Sequence, residues 1–179
     1  MILTPKQLKD IFFHRSDVFS VQQSTGAYFP TRRPIEISDI EQHIAGEKTI
    51  GAYCLKTDNT VKWACVDLDG SEDPAELRRL RRVADKIYDY FNPYPRMLEF
   101  SGRKGYHVWI FFKKPIQAKF AQQFVKSGLN RIGIGGVEIF PKQTELNEHR
   151  KYGNLVKIPM AIHRVSGKKS KILKMEGIQ

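Results

Sequence analysis

The chain has 179 residues, 41% hydrophobic and 27% charged, with a formal net charge of +11. That size and balance suit one compact domain, or two small lobes sharing a core, and argue against wholesale disorder. No apolar run approaches the roughly 20 residues of a membrane span, the first residues lack a secretory layout, and the two cysteines, Cys54 and Cys65, are too few for a four-cysteine zinc site and give no disulfide framework, so a reduced, cytoplasmic setting is expected.

In chain order, Thr4 and Pro5 open a first helix carrying Leu8, Ile11 and Phe12 at helical spacing. Ser38, with Glu41 three residues on, is the candidate cap of a second helix that Gly46 closes. Thr49–Leu55 and Val61–Leu68 are apolar and β-branched, and with Lys56–Thr60 between them they predict a hairpin. Asp73-Pro74 starts a longer helix to about Phe91, striped by Leu77, Leu80, Val83 and Ile87, and the Asn92-Pro93-Tyr94-Pro95 segment breaks it. Strands are expected at Met97–Ser101 and Tyr106–Phe112 around the turn Gly102–Gly105, then a helix from Gln117 to about Ile132 and a strand at Val137–Phe140. Residues 141–153 read as loop, Leu155–Ile158 as a last strand, and the lysine-rich tail from Ser166 as mobile. The fold class is α+β: an antiparallel platform with helices behind it.

Charge is unevenly spread. Residues 1–95 hold 13 Lys and Arg against 14 Asp and Glu, while residues 96–179 hold 17 against 5. A half so basic suits a polyanion, and phosphate contacts from it would give salt-sensitive binding.

The first chemical signal is Val66-Asp67-Leu68-Asp69-Gly70. In a strand, residues i and i+2 share a face, so Asp67 and Asp69 project together with Cα atoms roughly 6–7 Å apart. Two carboxylates at that spacing can hold Mg²⁺ or Mn²⁺, which prefer oxygen ligands; the plain alternative is a strand end with a turn at Gly70. Glu138 alternates with Val137 and Ile139 and is a third candidate ligand.

The second signal is Ser101-Gly102-Arg103-Lys104-Gly105-Tyr106-His107. Glycines at 102 and 105 let backbone approach an anion, and the Ser101 hydroxyl, Arg103, Lys104 and His107 could converge on a triphosphate. Taken alone, such a turn is more often a tight hairpin with exposed cations.

Together, a DxD strand, an SGxxGxH hairpin some thirty residues later and a third acidic strand resemble the archaeo-eukaryotic primase superfamily. The segments Ala27–Pro30, Thr49–Tyr53, Glu138–Gln143 and Gly153–Pro159 are similar to primase domains of conflict systems and of CRISPR-associated primase-polymerases. The resemblance covers roughly residues 10–170. It implies an RRM-like antiparallel sheet packed beside a smaller α/β unit, a single catalytic domain of two closely packed subdomains. It implies template-dependent primase-polymerase activity with two Mg²⁺ or Mn²⁺ ions on Asp67, Asp69 and Glu138. Ser101 and His107, with the Gly102–Gly105 turn, would hold the incoming nucleotide, and Lys142, Gln143 and Arg164 are further candidates for nucleotide or template contact. Many relatives carry aspartate where this chain has Glu138, and the zinc cysteines of replicative primase small subunits are missing, so no zinc is expected. Expected partners are a single-stranded or primed DNA template and dNTP or NTP, with no membrane. Because the resemblance is to a catalytic core, further domains of a longer protein and CRISPR or defence proteins also stand among the expected partners.

Three other functions fit parts of the pattern. A metal-dependent nuclease could use the same carboxylates, although neither Glu99 nor Glu138 begins an ExK element. A non-catalytic single-strand binder could stack bases on Tyr106, Trp109 and Phe111, but has no use for acidic side chains beside phosphate. A DxD glycosyltransferase leaves the basic half and the SGxxGxH hairpin unexplained.

Overall fold

The computed structural model describes residues 2–164 and 166–178. Its elements run α1 (Pro5–Phe12), β1 (Phe19–Gln22), β2 (Tyr28–Thr31), α2 (Ile37–Ala45), β3 (Ile50–Tyr53), β4 (Thr60–Asp69), α3 (Pro74–Tyr90), β5 (Arg96–Phe100), β6 (Gly105–Gln117), α4 (Ala118–Arg131), β7 (Glu138–Phe140), β8 (Leu155–Lys157) and β9 (Lys171–Glu176). They form two antiparallel sheets, one of four strands ordered β2-β1-β3-β8 and one of five ordered β7-β4-β6-β5-β9. Within the second, the run β4-α3-β5-β6-α4-β7 with strand order β7-β4-β6-β5 is the split β-α-β arrangement, and β9 adds an edge strand.

Period-2 alternation in the central strands β4 and β6 assigns each face a job. Ala64, Val66, Leu68, Val108 and Ile110 pack against α3 and α4 through Leu80, Ala84, Ile87, Val125 and Leu129. Trp63, Cys65, Trp109 and Phe111 face the other way, into a core shared with Phe12 of α1, Ile40 of α2 and Ile50 of β3. The five-stranded sheet is therefore the common wall between two apolar layers. Trp109, Phe111 and Tyr106 are buried within it, so they are not available as an exposed stacking surface.

Helix starts follow local chemistry. The Thr4 hydroxyl accepts the Gln7 N–H at 3.2 Å, and Asp73 accepts that of Glu76 at 3.1 Å. The second helix departs from expectation: it begins at Ile37 with Glu36 as N-cap, so Ser38 lies inside the first turn. The reason is Asp39, whose buried carboxylate accepts the Glu36 N–H at 3.0 Å while pairing with Arg33 and Lys48. Gly46 does close this helix, at φ +86°.

Two larger corrections concern pairing. The expected hairpin of Thr49–Leu55 with Val61–Leu68 does not form, because β3 pairs with β1 and β8 while β4 pairs with β6 and β7. A tight turn does close between them, with Lys56 N–H to Thr60 O at 2.9 Å, but Asn59 in that turn binds Ala118 and Leu146. The turn is thereby tied to other elements, and the two strands diverge into separate sheets. The tail is not free either: Lys171–Glu176 is β9, paired along β5, with Lys174 bound to Asp85 and Glu176 to Arg96. Two adjacent apolar residues, Ile172 and Leu173, break alternation there because the ladder shifts register between Leu98 and Glu99.

His43 fastens the smaller sheet. Its Nδ1 accepts the Ile50 N–H at 2.9 Å, which leaves Nε2–H to donate to Pro159 O at 3.0 Å. Burial pushes its pKa down to about 4, so the folded protein holds it neutral. Between pH 6.5 and about 4 the unfolded chain binds a proton that the folded chain refuses. Stability is therefore expected to be intact above pH 6.5 and to fall by up to about 3 kcal/mol as the pH drops through that window. Denaturant titrations across pH 4–7 measure it, and His43→Gln should flatten the part of the slope due to this residue.

Candidate functional site

The register of the five-stranded sheet sets a polar row at one end of an otherwise apolar face. Glu138 of β7 sits opposite Asp67 of β4, Asp67 opposite His107 of β6, and His107 opposite Glu99 of β5. Directly opposed residues project to the same face, so four chemistry-bearing side chains stand side by side. Glu99 has no solvent exposure, and its Oε2 accepts from His107 Nδ1 at 3.0 Å and from Trp109 Nε1 at 3.1 Å. That bond turns His107 Nε2 toward Asp67 Oδ1, 3.6 Å away.

A cleft of ≈ 210 Å³ opens where this row meets the four-stranded sheet. Asp67, Asp69, Ser101, Arg103, Lys104 and His107 line its one wall, and Gln22, Tyr28, Leu155, Val156 and Lys157 the other, with His163 beside them. Lys157 reaches over from β8, and its Nζ contacts the Ser101 carbonyl oxygen.

The electrostatics follow from crowding charges in a half-buried place. Burial pushes the Asp67 carboxyl up, His107 opposes that rise, and Asp69 and Glu138 add to it, so the carboxyl stays above its ordinary value. Burial alone would raise Glu99 too, but His107 and Lys157 hold it below the usual carboxylate range. Burial lowers Lys157, only partly countered by Glu99 and Asp67, while His107 ends above its ordinary value because those same two carboxylates outweigh its burial.

The hairpin glycines serve the protein's own packing. Gly102 takes φ +97° with Lys168 O lying 3.0 Å from where a Cβ would be. Gly105 is needed for close approach: a Cβ there would lie 2.2 Å from Leu68 O and 2.7 Å from Asp69 Oδ1. Ser101 likewise closes the turn, its hydroxyl donating to Gly105 O at 3.0 Å.

Of the expected site residues, the sheet brings together Asp67, Asp69, Ser101, Arg103, Lys104 and His107, with Gly102 and Gly105 shaping the hairpin and Glu138 beside Asp67. Lys142 joins through Glu138, at 2.8 Å. Gln143 instead turns its buried Oε1 toward Gly153, and Arg164 lines a separate depression with Glu47 and Lys48, so neither reaches this cleft. Lys157, Glu99, Tyr28, Gln22 and His163 are the residues that sequence reasoning missed. Glu99 had a signal: a turn closed by Ser101 and Gly105 forces Glu99 opposite His107. Lys157 and Tyr28 fall in segments that resemble primase domains, but no local rule places them in the cleft, since they arrive from another sheet.

Among the described residues, no three His, Cys, Asp or Glu side chains already enclose an ion position. Asp69 instead pairs with Lys104 at 2.9 Å and Glu138 with Lys142. The donor set nevertheless fits a hard divalent cation. Asp67 Oδ1 is buried without a hydrogen-bond partner, burial and then its two acidic neighbours raise its carboxyl, and lysines already stand in as cations on the other two.

The sequence profile of the TOTE conflict system, Archaeo-Eukaryotic Primase domain matches residues 27–177. The chain belongs to this primase family. The archaeo-eukaryotic primase fold is also seen directly: the AEP domain of the primase-polymerase from cyanophage S-2L is similar at TM-score 0.61 and 10% identity, over 97% of this chain and 90% of that one. The polymerase domain of Mycobacterium tuberculosis Ligase D, solved in complex with DNA, gives TM-score 0.45 and 13% identity over 94% and 78%. No curated protein sequence matches the chain. The expected α+β primase core, with its RRM-like sheet and smaller α/β unit, is thus the architecture found.

Because Gly105 sets the spacing between β6 and the Asp67–Asp69 stretch of β4, Gly105→Ala must push the strands apart. Overpacking of this kind costs about 1–3 kcal/mol, so thermal melts should show a Tm drop of roughly 2–12 °C. Gly135→Ala, where nothing lies within 4 Å of the added carbon, is the control and should melt like the parent.

Proposed function

We propose that this primase-family domain is a template-dependent nucleotidyltransferase, a DNA primase-polymerase that adds nucleotides from nucleoside triphosphates to a 3′-hydroxyl. The observation that carries the reading is the single cleft in which Asp67 and Asp69 face His107, Lys104 and Lys157. Carboxylates and cations in one cleft suit a substrate that brings its own negative charge.

Lys157, His107, Arg103 and Lys104 provide cationic donors for the triphosphate, and His163 stands at the same rim. The exposed pairs Arg103–Glu72 and Lys104–Asp69 are weak enough to open for it. Glu99 acts through His107: by accepting from Nδ1 it fixes the ring with Nε2 toward the cleft. Tyr28, Leu155 and Phe140 give the nucleoside an apolar wall. In the reaction, the 3′-oxygen forms a bond to the α-phosphorus, the bond to the bridging oxygen breaks, pyrophosphate leaves and the hydroxyl proton passes to water. Asp67, Asp69 and Glu138 would hold Mg²⁺ or Mn²⁺, which supplies charge stabilisation and activation of the attacking hydroxyl. Basic residues after position 95 would follow the template through its phosphates, which makes sequence preference modest.

Asp67→Ala and Asp69→Ala are each expected to abolish primer extension and to remove the rise in Tm that Mn²⁺ gives the parent. Template binding, measured by fluorescence anisotropy, should survive both changes. Extension by the double variant would sink the proposal, and cleavage of labelled strands with metal but no nucleotide would assign the carboxylates to a nuclease. Template affinity is further expected to fall steeply between 50 and 200 mM salt, as roughly ten- to a thousandfold for several phosphate contacts; a flat profile would count against the basic half as the template path.

A further inference from the structure

The cleft uses one face of the five-stranded sheet, and α3 and α4 cover the other. Where α3 ends against α4, the two helices leave a groove of ≈ 320 Å³ that shares no residue with the cleft. Its walls are Tyr90 and Phe91 from the end of α3 and Phe120, Phe124, Gly128 and Arg131 of α4.

The groove exists because α4 carries two apolar stripes. Ala118, Ala121, Val125 and Leu129 form the buried one. Phe120, Phe124 and Gly128 follow at i, i+4 and i+8 and form a second, turned toward the end of α3. Gly128 allows the helices to touch there, since a Cβ would lie 2.7 Å from Phe91 Cζ and 2.8 Å from Tyr90 Cε1. The Phe124 ring stands 5.4 Å from that of Phe91, 4.9 Å from Tyr94 and 6.3 Å from Phe112, so the groove has a floor of interlocked rings. Above that floor Phe120 and Tyr94 remain 57% and 43% exposed. Large aromatic side chains gathered in the open over an apolar pit mark a surface that another molecule covers.

Charge says which kind of molecule. Between Glu99 and Glu138 the chain has no acidic residue. Arg131 lines the groove, Lys119 Nζ lies 5.2 Å from the centre of the Phe120 ring, and Lys86 stands one turn before Tyr90, donating to Ile132 O at 2.8 Å. Asp89, beside Tyr90 in sequence, lies 4.0 Å from Lys174 of β9. A basic rim around a ring-lined pit suits carboxylates flanking an apolar anchor. A second copy of this chain would bring the same positive rim and be repelled. A nucleic-acid strand would need open ring faces for its bases, whereas Lys119 covers Phe120 and the rings around Phe124 meet edge to face.

We propose that this groove docks a partner protein through an acidic amphipathic helix, with apolar anchors one turn apart seated on Phe120 and Phe124 and carboxylates over Arg131 and Lys119. The groove lies across the sheet from Asp67 and His107, so a docked partner leaves the cleft open. Docking here does not depend on the nucleotidyltransferase reading.

A displayed library of random peptides, selected on the intact domain, supplies the probe. Enriched sequences are expected to carry Phe, Trp or Leu at i and i+4 among Asp and Glu. In fluorescence anisotropy with the most enriched peptide, Phe120→Ala should weaken binding about tenfold or more, and Lys119→Glu with Arg131→Glu should weaken it by a similar factor. That double variant should bind a counterpart peptide with Lys in place of Asp and Glu better than the parent does, a gain that misfolding could not produce. Phe120 is exposed, so the Tm of Phe120→Ala should match the parent. A library that yields no binder, enriched sequences without acidic residues, or binding indifferent to Phe120→Ala overturns the proposal. Displacement of the peptide by oligothymidylate would assign the groove to nucleic acid instead, and a dimer in solution that Phe120→Ala abolishes would assign it to a second copy.

Discussion

The structure depends on keeping a carboxylate charged where no water reaches it. Glu99 is wholly inside the protein, and an unpaired charge there would cost several kcal/mol. His107, the Trp109 indole and the nearby Lys157 offset that cost, and in doing so they fix where each of them points. His107 is turned toward Asp67, Trp109 is held in the core with Phe12 and Trp63, and Lys157 draws β8 toward the hairpin. One buried charge thus links the two sheets across the cleft they form, and the cleft's electrostatics follow from satisfying it.

That arrangement explains why part of the site was legible in the sequence and part was not. Alternation put Asp67 and Asp69 on one face, and the turn between Ser101 and Gly105 brought His107 alongside, because strand period and hairpin closure are local rules. Helix limits set by Thr4, Asp73 and Gly46 were equally local, whereas Ser38 lost the cap to Glu36 because the partners of Asp39 come from both sides of the helix start. Strand partners are not local. The two apolar runs around Lys56–Thr60 look like a hairpin by composition, and only the commitments of Asn59 to α4 and to the loop before β8 explain why they separate. The segments holding Lys157 and Tyr28 were marked only by resemblance, since their place in the cleft follows from how one sheet docks on another.

The low identity to the cyanophage domain, 10% across nearly the whole chain, fits the same division. Most positions in the two apolar layers need only size and hydrophobicity, which many sequences supply. Gly105 in the hairpin is constrained far more tightly, because no side chain fits between it and β4.

The terminal strand shows how far such constraints extend. Ile172 of β9 lies opposite Glu99, and the register shift beside Glu99 is made by this pairing. A lysine-rich ending that reads as mobile is the outer shield of the innermost charge. Shortening the domain at Ser166, the natural choice from composition, would let water in behind Glu99 and slacken the hold on His107 without altering any residue of the cleft itself.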